Sequence, residues 1–190
     1  MTQITLQIDN RQVTVPEGTT VLEAARKAAI FIPAMCYHDE LEPYGACRLC
    51  MVEATKGERT RLVASCVYPA EDGLVVRTDT ERVNRIRKMI LELLLPMAPT
   101  GPIKSLARMY GISKSRFTID GEPTYCTLCG LCVRYCHEMA KENVAAFVGR
   151  GVDRKVVLLP EKGDTCVFCR KCYNLCEAGR FFNLAEGFSA

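Results

Sequence analysis

Apolar and polar positions alternate from the start of the chain, with Ile4, Leu6 and Ile8 on one side and Thr5 and Gln7 on the other. Asp9-Asn10 interrupts the alternation, and Val13 and Val15 resume it. A period of two marks half-buried strands, so this stretch predicts a β-hairpin. Thr19 or Thr20 can then cap a helix from about Val21 to Ala29, with Glu23 placed for a capping box. Pro33 stops regular structure, and extended stretches follow at 51–54, 61–64 and 74–77. From Thr78 or Thr80 the period changes to that of a helix, running to about Leu95. Val83, Ile86, Ile90, Leu93 and Leu94 share one face of it, which is expected to be core.

Pro96, Pro99, Gly101 and Pro102 break this pattern and supply the best domain boundary. A short helix over 102–110 fits, with Pro102 in its first turn and Gly111 as its stop. Residues 111–125 carry few structural signals and read as an irregular connection draped over a partner. Farther on, Phe147-Val148 and Val156 to Leu159, split by Gly149-Arg150-Gly151, predict a small hairpin. The expected organisation is a domain over 1–95, a linker over 96–121, and a second domain with the C-terminal tail over 122–190.

Composition changes this picture through one residue type. The 190 residues hold 12 cysteines, which fall into three sets of four. Cys36, Cys47, Cys50 and Cys66 are separated by ten, two and fifteen residues. Cys126, Cys129, Cys132 and Cys136 follow C-x2-C-x2-C-x3-C, and Cys166, Cys169, Cys172 and Cys176 repeat it. A secreted disulfide scaffold would need an oxidising compartment, and the start Met1-Thr2-Gln3-Ile4-Thr5-Leu6 lacks the basic and apolar regions of a signal peptide. Neighbours in C-x2-C-x2-C are also poorly placed to bridge one another. A reducing cytoplasm is the expectation. No apolar run reaches the roughly 18 residues of a membrane span. The formal charge is +3, but an oxidised cluster with four thiolates carries about −2, so three clusters would bring the chain to roughly −3. Nucleic-acid binding is therefore not expected, and no long Lys/Arg block argues for it.

Each set has a chemical reading. Two irons bridged by two sulfides need four close thiolates with backbone N–H groups turned toward the sulfurs, and a tightly folded loop supplies these. Pro43 and Gly45-Ala46 suit the stretch from Tyr37 to Ala46 to that task. The order strand, strand, helix, loop, strand around it is that of a β-grasp sheet. The other two sets have the spacing of a two-cluster ferredoxin, in which three close cysteines hold one cubane and the fourth reaches the other. That crossing gives Cys126, Cys129, Cys132 and Cys176 for one [4Fe–4S] cluster, and Cys136, Cys166, Cys169 and Cys172 for the second. The competing reading is zinc, although structural zinc prefers two short C-x2-4-C pairs.

The stretch Ala46-Cys47-Arg48-Leu49-Cys50-Met51-Val52-Glu53 resembles the N-terminal [2Fe–2S] domain of the large iron–sulfur subunit of complex I. It equally resembles diaphorase subunits of NAD-reducing hydrogenases and formate dehydrogenases. The likeness continues through Leu128-Cys129-Gly130-Leu131-Cys132-Val133-Arg134 and Phe147-Val148-Gly149-Arg150-Gly151. It implies an α+β protein: a plant-type ferredoxin domain with all four N-terminal cysteines as ligands, then a bacterial-ferredoxin-like domain with two [4Fe–4S] clusters. Two departures stand out. His137 and Glu177 occupy the positions after Cys136 and Cys176 where ferredoxins usually have proline. Larger relatives carry a further cluster motif of one histidine and three cysteines, yet residues 96–125 hold neither residue type. The chain ends at Ala190, before any molybdopterin or hydrogen-cluster domain, so a short form is expected.

Several other residues sit near ligands. His38 is expected to be a solvent or partner contact rather than a substitute ligand, and His137 a surface residue. Arg48, Arg134 and Arg170 are each read either as charges favouring a reduced cluster or as docking residues. With no G-x-G-x-x-G fingerprint, P-loop or legible acid–base pair, the chain is expected to pass electrons rather than transform a substrate. The resemblance implies a subunit joining an NAD(P)H/flavin subunit to a second redox subunit, a hydrogenase, a formate dehydrogenase or a second flavin subunit. A free polyferredoxin and a zinc-stabilised interaction module are the alternatives.

Overall fold

The computed structural model describes residues 2–176. The C-terminal part of the expected 122–190 domain, from Glu177 on, lies outside the described residues. The chain divides into two units, one of residues up to 37 with 43–90, the other of 38–42 with residues from 91 on.

The first unit is built on a mixed five-stranded sheet. Strands β1 (Gln3–Ile8) and β2 (Arg11–Pro16) form the expected hairpin. Its turn places Asp9 and Asn10 at φ +46° and +67°, the left-handed pair that matches the twist of two antiparallel strands. The helix α1 (Val21–Lys27) carries the expected capping box, with Thr20 and Glu23 bonding each other's backbone amides. It stops two residues before the expected Ala29, because Ala29 turns left-handed (φ +53°) and lets the Ile30 N–H reach back to the Ala25 carbonyl at 2.8 Å. Strands β3 (Met51–Lys56) and β4 (Arg59–Ala64) make a second hairpin, and β5 (Val75–Arg77) closes the sheet. The order is β2-β1-β5-β3-β4, with β5 parallel to β1 and antiparallel to β3. The alternation in the sequence becomes a core in which Leu6, Ile8, Val15, Val52 and Val76 pack against Val21 and Leu22 of α1.

The helix α2 (Glu81–Met97) is capped by Thr80, whose Oγ accepts the Val83 N–H at 3.2 Å. Two expectations for it are corrected. Its covered positions are Val83, Arg87, Leu91 and Leu94, whereas Leu93 is 51% exposed and Ile90 only half-buried. An arginine takes the place that hydrophobicity alone would give to a neighbour. The helix also continues through Pro96 rather than ending before it. Proline lacks the N–H that would bond the carbonyl four residues back, and here the Ser115 hydroxyl donates to that carbonyl, Glu92 O, at 2.6 Å. Arg116 adds a two-pronged contact to the Glu92 carboxylate at 2.9 and 2.6 Å. Ser115 and Arg116 thus tie the irregular stretch to α2.

In the second unit, α3 (Gly101–Met109) matches the short expected helix, with proline at its start and Gly111 turned left-handed (φ +73°) beyond its end. The helix α4 (Leu131–Glu138) precedes a hairpin of β6 (Ala145–Val148) and β7 (Lys155–Leu158), then α5 (Gly163–Cys169) and a 3₁₀ turn at Tyr173–Leu175. The hairpin runs where the sequence puts it. Gly149 is obligatory in its turn: φ is +74° and a Cβ would lie 2.4 Å from the Asp153 carbonyl oxygen. Among the described residues no helix is long and apolar enough to cross a membrane.

Candidate metal centres

Four segments of the first unit present Cys36, Cys47, Cys50 and Cys66, and each is fixed by a neighbour. Tyr37 pins the first: its hydroxyl donates to the Glu23 carboxylate at 3.0 Å while the Arg26 guanidinium lies 4.6 Å from its ring centre. Glu23 therefore caps α1 and anchors the residue beside Cys36. Gly45 (φ +66°) lets the loop pass close to Val67, where a Cβ would stand 3.2 Å from a Val67 methyl. Arg48 is also left-handed (φ +60°), and such alternation turns successive amides toward one side, forming an anion-binding concavity. The Cys47 N–H accordingly donates to Cys36 Sγ at 3.4 Å. On the other flank both the N–H and the hydroxyl of the buried Ser65 donate to the Cys50 carbonyl, at 3.1 and 2.8 Å. The Leu22 N–H of α1 donates to the Ser65 carbonyl at 3.0 Å, joining helix, loop and the Cys66 segment.

The thiols form two close pairs. Cys50 and Cys66 have their sulfurs 3.4 Å apart, and both are buried. The hydrogen bond from Cys36 lowers Cys47 to about 5 against the opposing effect of burial, with further help from the amides of Leu49, Met35 and Cys36. Cys50 falls to about 7 through its hydrogen bond with Cys66. The protonated partners Cys36 and Cys66 move far upward for the same reason, reinforced by burial. In each pair one proton is easily lost and the other held. Iron-free protein treated with iodoacetamide at pH 7 is therefore expected to be alkylated at Cys47 well before Cys36, because its thiolate form persists down to about pH 5. Peptide mapping reads this out, and equal labelling would contradict it.

The second unit gathers the remaining eight. Gly130 turns left-handed (φ +80°) before α4, as do Tyr125 and Leu128, and the Leu131 amide at the start of α4 bonds the Cys129 sulfur. Cys132 and Cys136 lie one turn apart on α4, both buried, and Cys136 Sγ accepts the Val144 N–H at 3.2 Å. Burial raises Cys132, and the thiols of Cys129, Cys172, Cys176 and Cys126 add to it through their charge. Cys129 is raised by burial and, more weakly, by Cys126 and Cys176. Burial pushes Cys166 up to about 11, with Cys136 and Cys169 contributing. Cys172 rises to about 12 for the same causes, with Cys166, Cys136 and Cys169 nearby. A cavity opens among Cys136, Cys166, Cys169 and Cys172, walled by Tyr135 and Val144.

This donor set fits iron–sulfur clusters: soft thiolates, largely sheltered, with amides to spread the charge. Among the described residues no three His, Cys, Asp or Glu side chains converge as ligands of a single ion would. A cluster asks for a wider spread, since each thiolate binds at a cluster corner rather than at one shared ion.

The other residues read from the sequence take defined places. His38 Nδ1 accepts the Glu40 N–H at 3.3 Å, and its ring meets Tyr135 edge-on. His137 Nδ1 lies 2.6 Å from Asn143 Oδ1. Arg134 is 11% exposed, pairs with Glu138 at 3.0 Å and donates to the Glu42 carbonyl, so it braces the fold. Arg48 and Arg170 are both exposed and left-handed, and Arg170 lies over Tyr173 at 5.8 Å. Sequence reasoning missed Arg87, which is 3% exposed and donates to the carbonyls of Leu49 (3.0 Å), Thr78 (2.9 Å) and Met51 (2.8 Å). The only signal for it is a polar residue four after Val83 in the helical register.

Comparison with known proteins adds to this geometry. Residues 1–81 match the family model of a 2Fe-2S iron-sulfur cluster binding domain. The mitochondrial NADH-ubiquinone oxidoreductase 78 kDa subunit of Candida albicans is 26% identical over 100% of this chain and 30% of its own length. The NADPH-Fe(3+) oxidoreductase subunit alpha of Geobacter sulfurreducens is 30% identical over 93% of this chain and 24% of its own length. For the mitochondrial NADH dehydrogenase (ubiquinone) iron-sulfur protein 1 of Solanum tuberosum the identity is 29%, over 96% and 28%. The chain thus spans about a quarter to a third of the length of these curated relatives. A crystal structure of NAD+-reducing [NiFe]-hydrogenase in its H2-reduced state superposes with a TM-score of 0.69 at 31% identity, covering 82% of this chain and 74% of that one.

Proposed function

Because this chain belongs to the family of the complex I large iron–sulfur subunit and the iron–sulfur diaphorase subunit of NAD-reducing hydrogenase, we propose that it relays single electrons inside a multisubunit NAD(P)H-linked flavoprotein oxidoreductase. One side receives them from a flavin subunit that binds NAD(P)H, and the other delivers them to a second redox subunit: a hydrogenase, a formate dehydrogenase or a second flavin protein. The observation that carries this reading is the gathering of the twelve cysteines into buried or half-buried groups, several of them facing backbone amides.

Cys36, Cys47, Cys50 and Cys66 hold a [2Fe–2S] cluster in this reading. Cys126, Cys129, Cys132 and Cys176 hold one [4Fe–4S] cluster, and Cys136, Cys166, Cys169 and Cys172 the other. The crossing is supported by the cavity that Cys136 shares with Cys166, Cys169 and Cys172. Bound there, the clusters would supply reversible one-electron acceptance with little change in shape. The chain holds the sulfurs apart at fixed positions, turns amides toward them and keeps bulk water from most of them, which limits reorganisation when charge arrives. We place the two domains at 1–95 and 122–190, joined by the linker 96–121, and the protein in a reducing cytoplasm that keeps its thiols free.

Metal and sulfide analysis of protein purified without oxygen tests the cluster assignment. The expected content is about ten irons per chain with matching sulfide, and visible absorbance that dithionite bleaches. One zinc per four cysteines without colour would overturn it. Native purification tests the partner: the chain is expected to migrate in a large complex with a flavin-containing subunit. A fully active monomer would favour a free polyferredoxin.

A further inference from the structure

Arg87 buries a guanidinium directly behind the first metal centre. It reaches there from α2, and its Nε and terminal nitrogens bond the carbonyls of Leu49 and Met51, the residues on either side of Cys50. Its third bond goes to Thr78, just before the same helix. The carbonyl and N–H of a peptide unit point in opposite directions, so holding the Leu49 carbonyl also sets the direction of the Cys50 N–H. The Cys50 carbonyl is fixed separately by Ser65. Three consecutive carbonyls beside one ligand are therefore immobilised, two of them by a permanent cation.

We propose that Arg87 is a positioning and potential-setting residue for the [2Fe–2S] site. One electron added to a four-thiolate site, from any low-potential one-electron donor, makes its charge more negative by one. A buried cation next to Cys50 favours that state, since charge–charge attraction is little screened away from water. Its planar fork also bonds several carbonyls at once, which an ammonium on a flexible stem does not do. Charge and geometry are thus separable by substitution. The proposal rests on Cys36, Cys47, Cys50 and Cys66 as the ligands of that cluster.

The test is a potentiometric titration of the full chain, following the slowly relaxing [2Fe–2S] EPR signal, together with the rate of cluster loss to a chelator. Arg87→Met is expected to lower the reduced-to-oxidised ratio at a fixed poise about tenfold, equivalent to about 59 mV for one electron. Arg87→Lys is expected to keep that ratio within about twofold, because the charge stays, while losing the cluster several-fold faster. An unchanged ratio in Arg87→Met, or a tenfold fall in Arg87→Lys, would overturn the role of the charge. Should Arg87→Met fail to retain a cluster, Arg87→Lys decides alone: a preserved ratio with faster loss supports the proposal, and any other result refutes it. Absence of a [2Fe–2S] signal in the unaltered chain would instead remove the ligand assignment, independently of Arg87.

Discussion

Cys136→Ala combined with Cys166→Ala is expected to remove about four irons per chain, no more than either substitution alone, whereas Cys136→Ala combined with Cys126→Ala removes about eight. The result follows from the proposed crossing, in which Cys136 and Cys166 are ligands of one cluster and Cys126 of the other. Two ligands of one cubane act as a unit, so losing the second costs nothing further; ligands of different cubanes act independently and their losses add. Cys136 belongs by sequence to the run beginning at Cys126, but in the fold it shares a cavity with Cys166, Cys169 and Cys172. It sits one helical turn beyond Cys132, with Val144 N–H at 3.2 Å from its sulfur. The mirror experiment uses Cys176, which influences Cys129 and Cys132 from the far end of the segment. Cys126→Ala with Cys176→Ala should cost about four irons. Iron analysis of these double variants is enough, and additive loss for Cys136 with Cys166 would mean that each run holds its own cluster.

Leu22→Ala is expected to destabilise the first unit by about 2–5 kcal/mol, the usual cost of deleting a fully buried leucine and leaving a cavity. Leu22 is 0% exposed among Val15, Val21, Cys50, Val52 and Cys66 in one core. For a domain of that size such a loss lowers Tm on the order of 10 °C or more. A second consequence is local. The Leu22 N–H bonds the Ser65 carbonyl, and Ser65 in turn bonds the Cys50 carbonyl, so loosening α1 should also speed release of metal from the site. Leu93→Ala is the control: that side chain is 51% exposed, and the expected change is within about 0.5 kcal/mol. Thermal melts followed by circular dichroism compare the two directly. Equal effects would restore the helix face that hydrophobicity alone suggests.

That contrast shows where sequence reading stops. Local signals were legible because their physics is local: the alternation of Ile4, Leu6 and Ile8, the Thr20–Glu23 capping box and the glycine turn at Gly149 all appear in the fold. The division of the cysteines into three sets of four was legible because it lies in their spacing alone. What the sequence hid depends on partners far along the chain. Arg87 looks like a solvent-facing residue until Leu49, Thr78 and Met51 are placed around it. Pro96 looks like a helix stop until Ser115 supplies the donor that proline lacks. The parallel pairing of β1 with β5 joins Gln7 to Val75, and no short-range pattern encodes it.

The place of β5 in the sheet has a consequence for biosynthesis. It is the middle strand of five, flanked by β1 and β3, yet it is the last of them to leave the ribosome. Until residues 75–77 emerge, both hairpins expose an unpaired inner edge, the kind of surface that recruits foreign strands. All four cysteines of the first centre have by then been made, since Cys66 precedes β5. At about 5–20 residues per second the interval from Cys66 to Arg77 lasts on the order of a second. During that interval the nascent chain carries these four thiols on a scaffold that is still open, and closure by three residues seals the edges on both sides.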